Sequence, residues 1–321
     1  MTYGEPAGIG PDLALMLWCA RHAHDVPPFV LHGDPEHLAR RAERLGLAVS
    51  IGDAAAPFDR ALPVRPLAHE LRAEPAQPVE TDAAGVVASI VAAVDAVARG
   101  EAPAMVTLPI NKEALYRAGF DHPGHTEFLA ALAAERFDGP APRPVMMIAG
   151  PELRTVPVTI HAPLSAVPGL LSVDLIADTV RVVVRDLAER FGIARPRIAL
   201  AGLNPHAGES GTIGAEDENV VRPAAEALRA EGLDVAGPLP ADTMFHPRAR
   251  ALYDAAVCMY HDQALIPAKT LAFDEGVNVT LGLPFVRTSP DHGTAFDIAG
   301  TGAARIDSTL AALHFAREMT A

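Results

Sequence analysis

The stretch Ala255–Asp262, which reads AAVCMYHD, is an apolar run that ends on a histidine and an aspartate. A short apolar run bounded by polar residues is typical of a strand buried on both faces of an α/β sheet. The runs Val156–Ile160 and Ile198–Leu203 have the same character. Each of the three predicted strands is followed by a histidine: His161, His206 and His261.

These histidines are candidate metal ligands because of where they fall. In open α/β sheets, ligands bind beyond the carboxyl ends of the strands, so we expect the three side chains to converge. Three neutral imidazoles bind a divalent transition metal and leave coordination positions open, as in catalytic rather than structural sites. A lone histidine in a loop such as that of His206 is more often a surface or capping group. The metal prediction therefore depends on the set of three.

Composition limits the classes of partner. A chain of 321 residues, half of them hydrophobic, can form one large or two medium domains. The net charge of −14 disfavours nucleic acid and anionic membrane surfaces, and an anionic substrate must find a local cationic pocket. No export segment opens the chain and no apolar stretch reaches the roughly 20 residues of a membrane span. The two cysteines, Cys19 and Cys258, are expected to be buried thiols, so we predict a cytoplasmic protein.

The cationic side chains are strongly biased towards arginine. Of the 26 basic residues only Lys112 and Lys269 are lysines. In an arginine-rich chain, a retained lysine suggests a position where a compact, titratable ammonium matters, although chance explains either one alone.

Strand and helix patterns alternate along the chain. This order predicts an α/β fold with a largely parallel sheet and some antiparallel strands in the middle. One antiparallel pair is predicted from Pro144–Ala149 and Thr155–Ile160, which are joined by a Gly-Pro turn. We expect a discontinuous larger domain, residues 1–106 and 236–321, and a second domain of residues 107–235.

Several polar residues form candidate anion sites. His125 and Thr126 stand at the predicted start of a helix, where a phosphate or carboxylate can bind, although a simple helix cap is equally consistent. Lys269, Asn278 and Arg287 fall within 19 residues and supply a point charge and a bidentate fork. Each could instead be an ion-pair partner.

Two further motifs have a structural and a functional interpretation. The glycine-rich Gly4–Pro11 precedes a helix but does not match the dinucleotide fingerprint, so a structural turn is favoured. The chain begins almost on this motif, with very little strand before it. Asp242 follows a Gly-Pro turn and is either a helix cap or a carboxylate near the metal.

Taken together, the segments resemble the 4-hydroxythreonine-4-phosphate dehydrogenases of pyridoxal phosphate biosynthesis. The resemblance covers nearly the whole chain and is carried by ordered blocks: Gly4–Pro11, Pro109–Lys112, Gly124–Leu129, Asn204–Glu209, Gly237–Thr243, Met259–Gln263 and Gly276–Gly300. It implies a fold like that of isocitrate and isopropylmalate dehydrogenases, with two α/β domains and a cleft between them. There the metal is held by aspartates, whereas here the implied ligands are histidines.

The resemblance also assigns roles. His161, His206 and His261 would bind a divalent metal (Zn, Mg or Co), and the phosphorylated hydroxy-amino acid would be held by His125, Thr126, Lys269, Asn278 and Arg287. The turn His292-Gly293-Thr294 looks like the adenosine-binding turn of the wider group and would bind NAD or NADP. The family pattern is a homodimer with its active site at the subunit interface, where His161 and His206 face His261 of the partner subunit.

The implied reaction is oxidation of 4-phosphooxy-L-threonine at C3, followed by decarboxylation to 3-amino-2-oxopropyl phosphate. Lys269 or Asp242 is the expected base for the hydroxyl proton. Many relatives have glycine in place of Ser210 and an aromatic residue in place of Ile213, which leaves room for a shifted substrate. The alternatives are a dehydrogenase of 4-phosphothreonate, erythronate or a cis-dihydrodiol carboxylate, a metal-dependent hydrolase or phosphotransferase, and a non-catalytic binding protein.

Overall fold

The computed structural model describes residues 1–117, 119–122 and 124–321. Its strands are β1 Leu31–Gly33, β2 Ile51–Gly52, β3 Leu62–Pro66, β4 Ala104–Val106, β5 Val145–Ala149, β6 Arg154–Thr159, β7 Arg197–Ala201, β8 Asp234–Leu239, β9 Ala255–Tyr260, β10 Val277–Leu281 and β11 Val286–Pro290. Its α-helices are α1 Gly10–Ala20, α2 Pro35–Leu45, α3 Ala83–Ala98, α4 Lys112–Arg117, α5 His125–Arg136, α6 Val167–Leu170, α7 Val173–Arg190, α8 Arg222–Ala230, α9 Pro247–Arg250, α10 His261–Leu271 and α11 Asp307–Glu318. The predicted α/β class is confirmed.

The chain forms two compact units. Unit 1 consists of Met1–Pro142 and Leu283–Ala321, and unit 2 of Arg143–Gly282. In unit 1 the parallel strands β1, β3 and β2 are neighbours, and β4 pairs in parallel with β11. Helices α3 and α5 share an apolar core there, which includes Val86, Ile90, Phe128 and Leu129.

Unit 2 contains six adjacent strands in the order β10-β5-β6-β9-β7-β8. The first three are antiparallel, which confirms the predicted pair β5 and β6. From β6 to β8 the strands are parallel. As a result, β6, β9 and β7 are neighbours and their carboxyl ends lie at one edge of the sheet.

The boundaries of the units differ from those expected. The sequence analysis divided the chain after residues 106 and 235, whereas the structure divides it after Pro142 and Gly282. Residues 107–142 belong to unit 1 because α4 and α5 bury Leu115 and Leu132 in its core. Residues 236–282 belong to unit 2 because β9 and β10 continue its sheet.

Helix α3 is strongly apolar. The stretch Glu80–Ala98 is long and apolar enough, by length and composition, to cross a membrane, and half of it is buried. Val86, Ile90 and Val94 on this helix are fully enclosed in the core of unit 1. This burial explains why the helix is so hydrophobic: it packs in the core of unit 1.

Candidate active site

The three candidate metal ligands lie at one edge of the unit 2 sheet. His261 begins α10 directly after β9, His161 follows β6, and His206 lies in the turn after β7. The rings of His161 and His261 have their centroids 5.9 Å apart. The two rings are neighbours because β6 and β9 are adjacent parallel strands, with Thr159 opposite Tyr260.

The proximity of His161 and His261 within one chain differs from the expected sharing of ligands between subunits. The family resemblance placed His161 and His261 on different subunits, whereas the structure brings these two rings together within one chain. His206 is exposed and does not complete a cluster with them. Among the residues that the structure describes, no group of three or more His, Cys, Asp or Glu side chains is assembled to hold a metal ion. The chain therefore gathers two of the three predicted ligands.

His261 is oriented by its neighbour in sequence. Its Nδ1 lies 2.7 Å from Oδ1 of Asp262, so the proton on Nδ1 is donated to this carboxylate and Nε2 is left to bind a metal. Sequence reasoning did not single out Asp262. The only available signal was its position immediately after a candidate ligand.

Two of the three histidines have an unusual backbone. His161 has φ +44° and His206 φ +54°, in the left-handed region that non-glycine residues rarely adopt. The whole segment from His206 to Ser210 has positive φ, so it forms a left-handed turn. Each non-glycine residue in this conformation costs about 1–3 kcal/mol, and strain of this kind concentrates at functional sites.

A buried carboxylate supports the left-handed turn. Asp217 is fully buried and accepts hydrogen bonds from the backbone N–H groups of Leu203 and Asn204, at 2.7 and 3.0 Å, and from the Asn204 amide at 3.1 Å. These bonds fix the chain just before His206. Asp217 begins a single π-helical turn ahead of α8.

The two candidate bases lie in different surroundings within unit 2. Asp242 is exposed in a 3₁₀ turn, and its side chain makes no capping bond. It lines a cavity of about 380 Å³, together with Tyr260, Asp262 and Gln263. Lys269 is half-buried in the last turn of α10, eight residues after His261.

The predicted anion-binding residues divide between the two units. Asn278 lies on β10 in unit 2, half-buried and opposite Ile148 of β5. Arg287, His125 and Thr126 belong to unit 1. Arg287 is buried, and its Nε and Nη2 donate to the hydroxyl of Thr107 at 3.0 and 2.7 Å. Burial lowers the pKa of this guanidinium to about 10, so it remains charged at neutral pH.

His125 lies at the start of a helix with one ring nitrogen buried. It opens α5, and its Nε2 is buried with no partner in the described part of the chain. Burial, together with the nearby charges of Arg287 and Lys112, holds the pKa of His125 well below its ordinary value. Thr126 follows it in the first turn of α5, and no side chain caps this helix start. A neutral imidazole and two cations thus share one locality of unit 1.

The candidate nucleotide turn also lies in unit 1. His292 has its Nδ1 3.1 Å from the carbonyl of Gly293, while its Nε2 is buried without a partner in the chain as described. A Cβ built on Gly293 would meet open space. The carbonyl of Thr294 accepts the N–H of Ile9 at 3.0 Å, and a Cβ on Gly8 would lie 2.8 Å from that carbonyl oxygen. The glycine-rich turn is therefore a packing element that supports this segment, as its structural interpretation predicted.

Known proteins resemble this chain closely. The family model "Pyridoxal phosphate biosynthetic protein PdxA" matches residues 25–316. A 4-hydroxythreonine-4-phosphate dehydrogenase of Xanthobacter autotrophicus is 57% identical and covers 99% of this chain and 92% of the relative. A crystal structure of the enzyme of that name from Klebsiella pneumoniae has a TM-score of 0.89 and 37% identity, covering 100% of this chain and 98% of its own. A terephthalate 1,2-cis-dihydrodiol dehydrogenase from Burkholderia xenovorans has a TM-score of 0.66 and 28% identity, covering 99% and 96%.

Proposed function

The chain belongs to the PdxA family of pyridoxal phosphate biosynthetic proteins, and from this membership we propose that it is a 4-hydroxythreonine-4-phosphate dehydrogenase. The reaction is the NAD(P)-dependent oxidation of 4-phosphooxy-L-threonine at C3 and decarboxylation to 3-amino-2-oxopropyl phosphate. The observation that carries the proposal is the 57% identity, over 99% of this chain, to a relative of that name. We place the enzyme in the cytoplasm.

The phosphate of the substrate fits the cationic locality of unit 1. Arg287 supplies a buried positive charge, Lys112 a compact charge, and His125 a neutral ring whose Nε2 lacks a partner among the described residues. A bound phosphate would satisfy this nitrogen and bring a negative charge to the guanidinium. Lys269 and Asn278 of unit 2 are assigned to the same substrate by family resemblance.

The histidine donor set fits a divalent metal by its chemistry. Imidazole nitrogens suit zinc or cobalt better than magnesium, which prefers oxygen ligands. His161 and His261 are already neighbours, and Asp262 keeps Nε2 of His261 available. The bound metal supplies Lewis-acid polarisation of substrate oxygens, and NAD or NADP supplies the hydride acceptor.

The remaining task of the protein is to move a proton from the C3 hydroxyl. Asp242 reaches into the cavity that Asp262 and Gln263 also line, and an exposed carboxylate there can accept a proton directly or through water. Lys269 is the second candidate, since its amine is half-buried on the same helix as His261. For the nucleotide, we assign His292, Gly293 and Thr294, because Nε2 of His292 has no partner among the described residues and the open space at Gly293 suits a ligand.

We also propose a homodimer that completes the active site. Unit 2 exposes large apolar side chains: Leu164 by 65%, Leu170 by 50%, Leu252 by 73%, Ile266 by 64% and Phe273 by 75%. A subunit interface would remove these side chains from water. Ile266 lies on α10, the helix that begins with His261, so an interface on this helix adjoins the candidate metal site.

The test is a substrate panel with purified protein. We expect 4-phosphooxy-L-threonine, Zn²⁺ or Co²⁺, and NAD⁺ or NADP⁺ together to give reduced nicotinamide, followed by absorbance. The panel includes 4-phosphothreonate and a cis-dihydrodiol carboxylate, because the Burkholderia dihydrodiol dehydrogenase shares the fold at 28% identity. Reduction only with the dihydrodiol would replace the proposed substrate. The absence of reduction with every substrate would overturn the assignment as a dehydrogenase.

A further inference from the structure

We propose that Thr159 and Gln263 are positioning residues that set the spacing of the three histidines by tying together the carboxyl ends of β6, β9 and β7. Neither residue is a candidate ligand. The inference rests on the metal role proposed above. Its evidence is a pair of side-chain bridges that meet at Met259, two residues before His261.

The first bridge joins β6 to β9. The hydroxyl of Thr159, which is buried, donates to the carbonyl of Met259 at 2.7 Å. Thr159 stands two residues before His161, as Met259 does before His261. A single hydrogen bond thus links equivalent positions of the two chains that lead to the neighbouring imidazoles.

The second bridge joins β9 to β7. The Oε1 atom of Gln263 accepts the N–H of Met259 at 2.7 Å, and its Nε2 donates to the carbonyl of Gly202 at 2.8 Å. Gly202 immediately follows β7 and precedes the turn that carries His206. Gln263 therefore relates the start of α10, and with it His261, to the start of the His206 turn.

The Gln263 bridge occurs where the backbone pairing of β7 with β9 stops. The register of β7 with β9 ends at Leu200 opposite Val257, two residues before Met259. Beyond that point backbone groups need other partners, and side chains of defined length supply them. Because ladder hydrogen bonds no longer fix the separation of β7 and β9 there, the length of Gln263 determines it. Thr159 acts at the last pair of the β6–β9 register, where it stands opposite Tyr260, and adds a side-chain bond to the end of that ladder.

The chain contains a matched control for Thr159. Thr155 lies four residues earlier on the same strand and therefore on the same face. It is also fully buried, but its hydroxyl has no partner in the described chain. Replacing either threonine with valine exchanges the same atoms, yet only Thr159→Val removes a bridge between strands.

The experiment measures Zn²⁺ affinity of the metal-stripped, full-length protein by competition with a chelating dye. We expect Thr159→Val and Gln263→Leu each to weaken Zn²⁺ binding about tenfold or more, as loss of supporting contacts does at other metal sites. Thr155→Val should bind Zn²⁺ like the unaltered protein. Thr159→Ser, which keeps the hydroxyl, should restore most of the affinity. Melting of the metal-free proteins is recorded in parallel, to separate loss of fold from loss of spacing.

Three results would contradict the inference. Unchanged Zn²⁺ affinity in Thr159→Val and Gln263→Leu, with lower melting temperatures, would show that the bridges only stabilise the sheet. Equal losses in Thr155→Val and Thr159→Val would show an effect of the substitution rather than of the bridge. If His206→Ala bound Zn²⁺ as tightly as the unaltered protein, or if the unaltered protein bound no Zn²⁺, the proposed metal site would be wrong. This inference would then fail with it.

Discussion

The buried guanidinium of Arg287 shows how a single residue can limit the substrates of this protein. It remains charged because burial lowers its pKa only to about 10, and it lies near an imidazole that burial keeps neutral. An arginine held in this way favours a ligand that brings two negative charges. The overall charge of −14 makes such a local cationic group necessary for an anionic substrate.

We therefore predict that Arg287→Met raises KM for 4-phosphooxy-L-threonine about 10- to 100-fold, since hydrogen bonds to charged groups contribute about 1.5–3 kcal/mol. KM for unphosphorylated 4-hydroxythreonine should change little, because that substrate lacks the group that Arg287 binds. Steady-state kinetics with both substrates provides the comparison. Arg305→Met, at an exposed arginine that pairs with Asp307, is the control and should change neither value. Equal effects on both substrates would remove Arg287 from the phosphate site.

Among single residues, the sequence identified those whose side-chain chemistry is rare at their position, such as a histidine after a buried strand. His161 and His261 were singled out because each follows an apolar strand, and the structure places their rings together. Thr159, Asp262 and Gln263 were missed because their roles come from contacts made after folding. A threonine at a strand end and a glutamine in the first turn of a helix are ordinary in any sequence.

Among the single structural elements, the left-handed turn at His206–Ser210 has the most unusual backbone. Only Gly208 among its five residues adopts positive φ without strain, so the turn depends on its surroundings. Asp217 binds the chain before it, and Gly202 lies against it: a Cβ on Gly202 would be 2.7 Å from the Cα of Ala207 and 3.0 Å from Asp217 Oδ1. The element is held by close approach on one side and by a buried carboxylate on the other.

Gly202→Ala is expected to displace the His206 turn, because backbone at 2.7 Å cannot yield as a flexible side chain would. We predict at least a tenfold loss of Zn²⁺ affinity and a fall of about 1–3 kcal/mol in the free energy of unfolding, the range for overpacking. Dye competition and urea unfolding measure the two effects. The control is Gly169→Ala in α6, where an added Cβ meets no atom within 4 Å. Retained Zn²⁺ affinity in Gly202→Ala would show that the turn does not position a ligand.

The strands and most helices were predictable because their hydrophobic periodicity is regular. Helix α7, observed over Val173–Arg190, buries Ile176, Val180 and Val183 at such a helical spacing. The left-handed turn was not predictable, since His206, Ala207, Glu209 and Ser210 adopt positive φ against their own preference. The π-helical turn at Asp217 was missed for a related reason: its carboxylate binds backbone outside the helix.

At the scale of the whole molecule, the division into units followed packing rather than chain pattern. The predicted boundary at residue 106 falls at the end of β4, a natural point of interruption in sequence. The structure continues unit 1 to Pro142 because Phe128, Leu129 and Leu132 complete a core begun by α3. Which apolar face meets which partner is decided by tertiary contacts that strand and helix periodicity does not encode.

Unit 1 also contains buried histidines that should make the molecule sensitive to acid. Burial lowers the pKa values of His32, His37 and His125, that of His32 from 6.5 to about 3. Below pH 6.5 the unfolded chain binds protons that the folded chain does not, so stability falls as the pH decreases. For His32 this loss continues down to about pH 3.

We predict that His32→Leu reduces the slope of unfolding free energy against pH by about 1.4 kcal/mol per pH unit between about pH 6 and 4. Leucine removes the titrating ring and also a buried Nδ1 that has no partner in the described chain. Urea unfolding at a series of pH values measures the slope. His22→Leu, at an exposed histidine, should leave the slope unchanged. A slope in His32→Leu equal to that of the unaltered protein would mean that His32 is not neutral in the folded state.

Assembly of the metal site involves the whole molecule, because the described chain brings His161 and His261 together but not His206. Two inactive variants, His206→Ala and His261→Ala, test whether subunits share ligands. If a site uses histidines of both subunits, a mixed dimer of the two variants contains one site with all three histidines and one with a single histidine. Co-expression with two affinity tags should then yield mixed dimers with Zn²⁺ binding and turnover restored in one site per dimer. If one chain supplies all three ligands, each site of the mixed dimer lacks one histidine and activity stays absent.

Ile266→Asp on α10 should separate the subunits and abolish the rescue, whereas Tyr116→Asp in unit 1 should not.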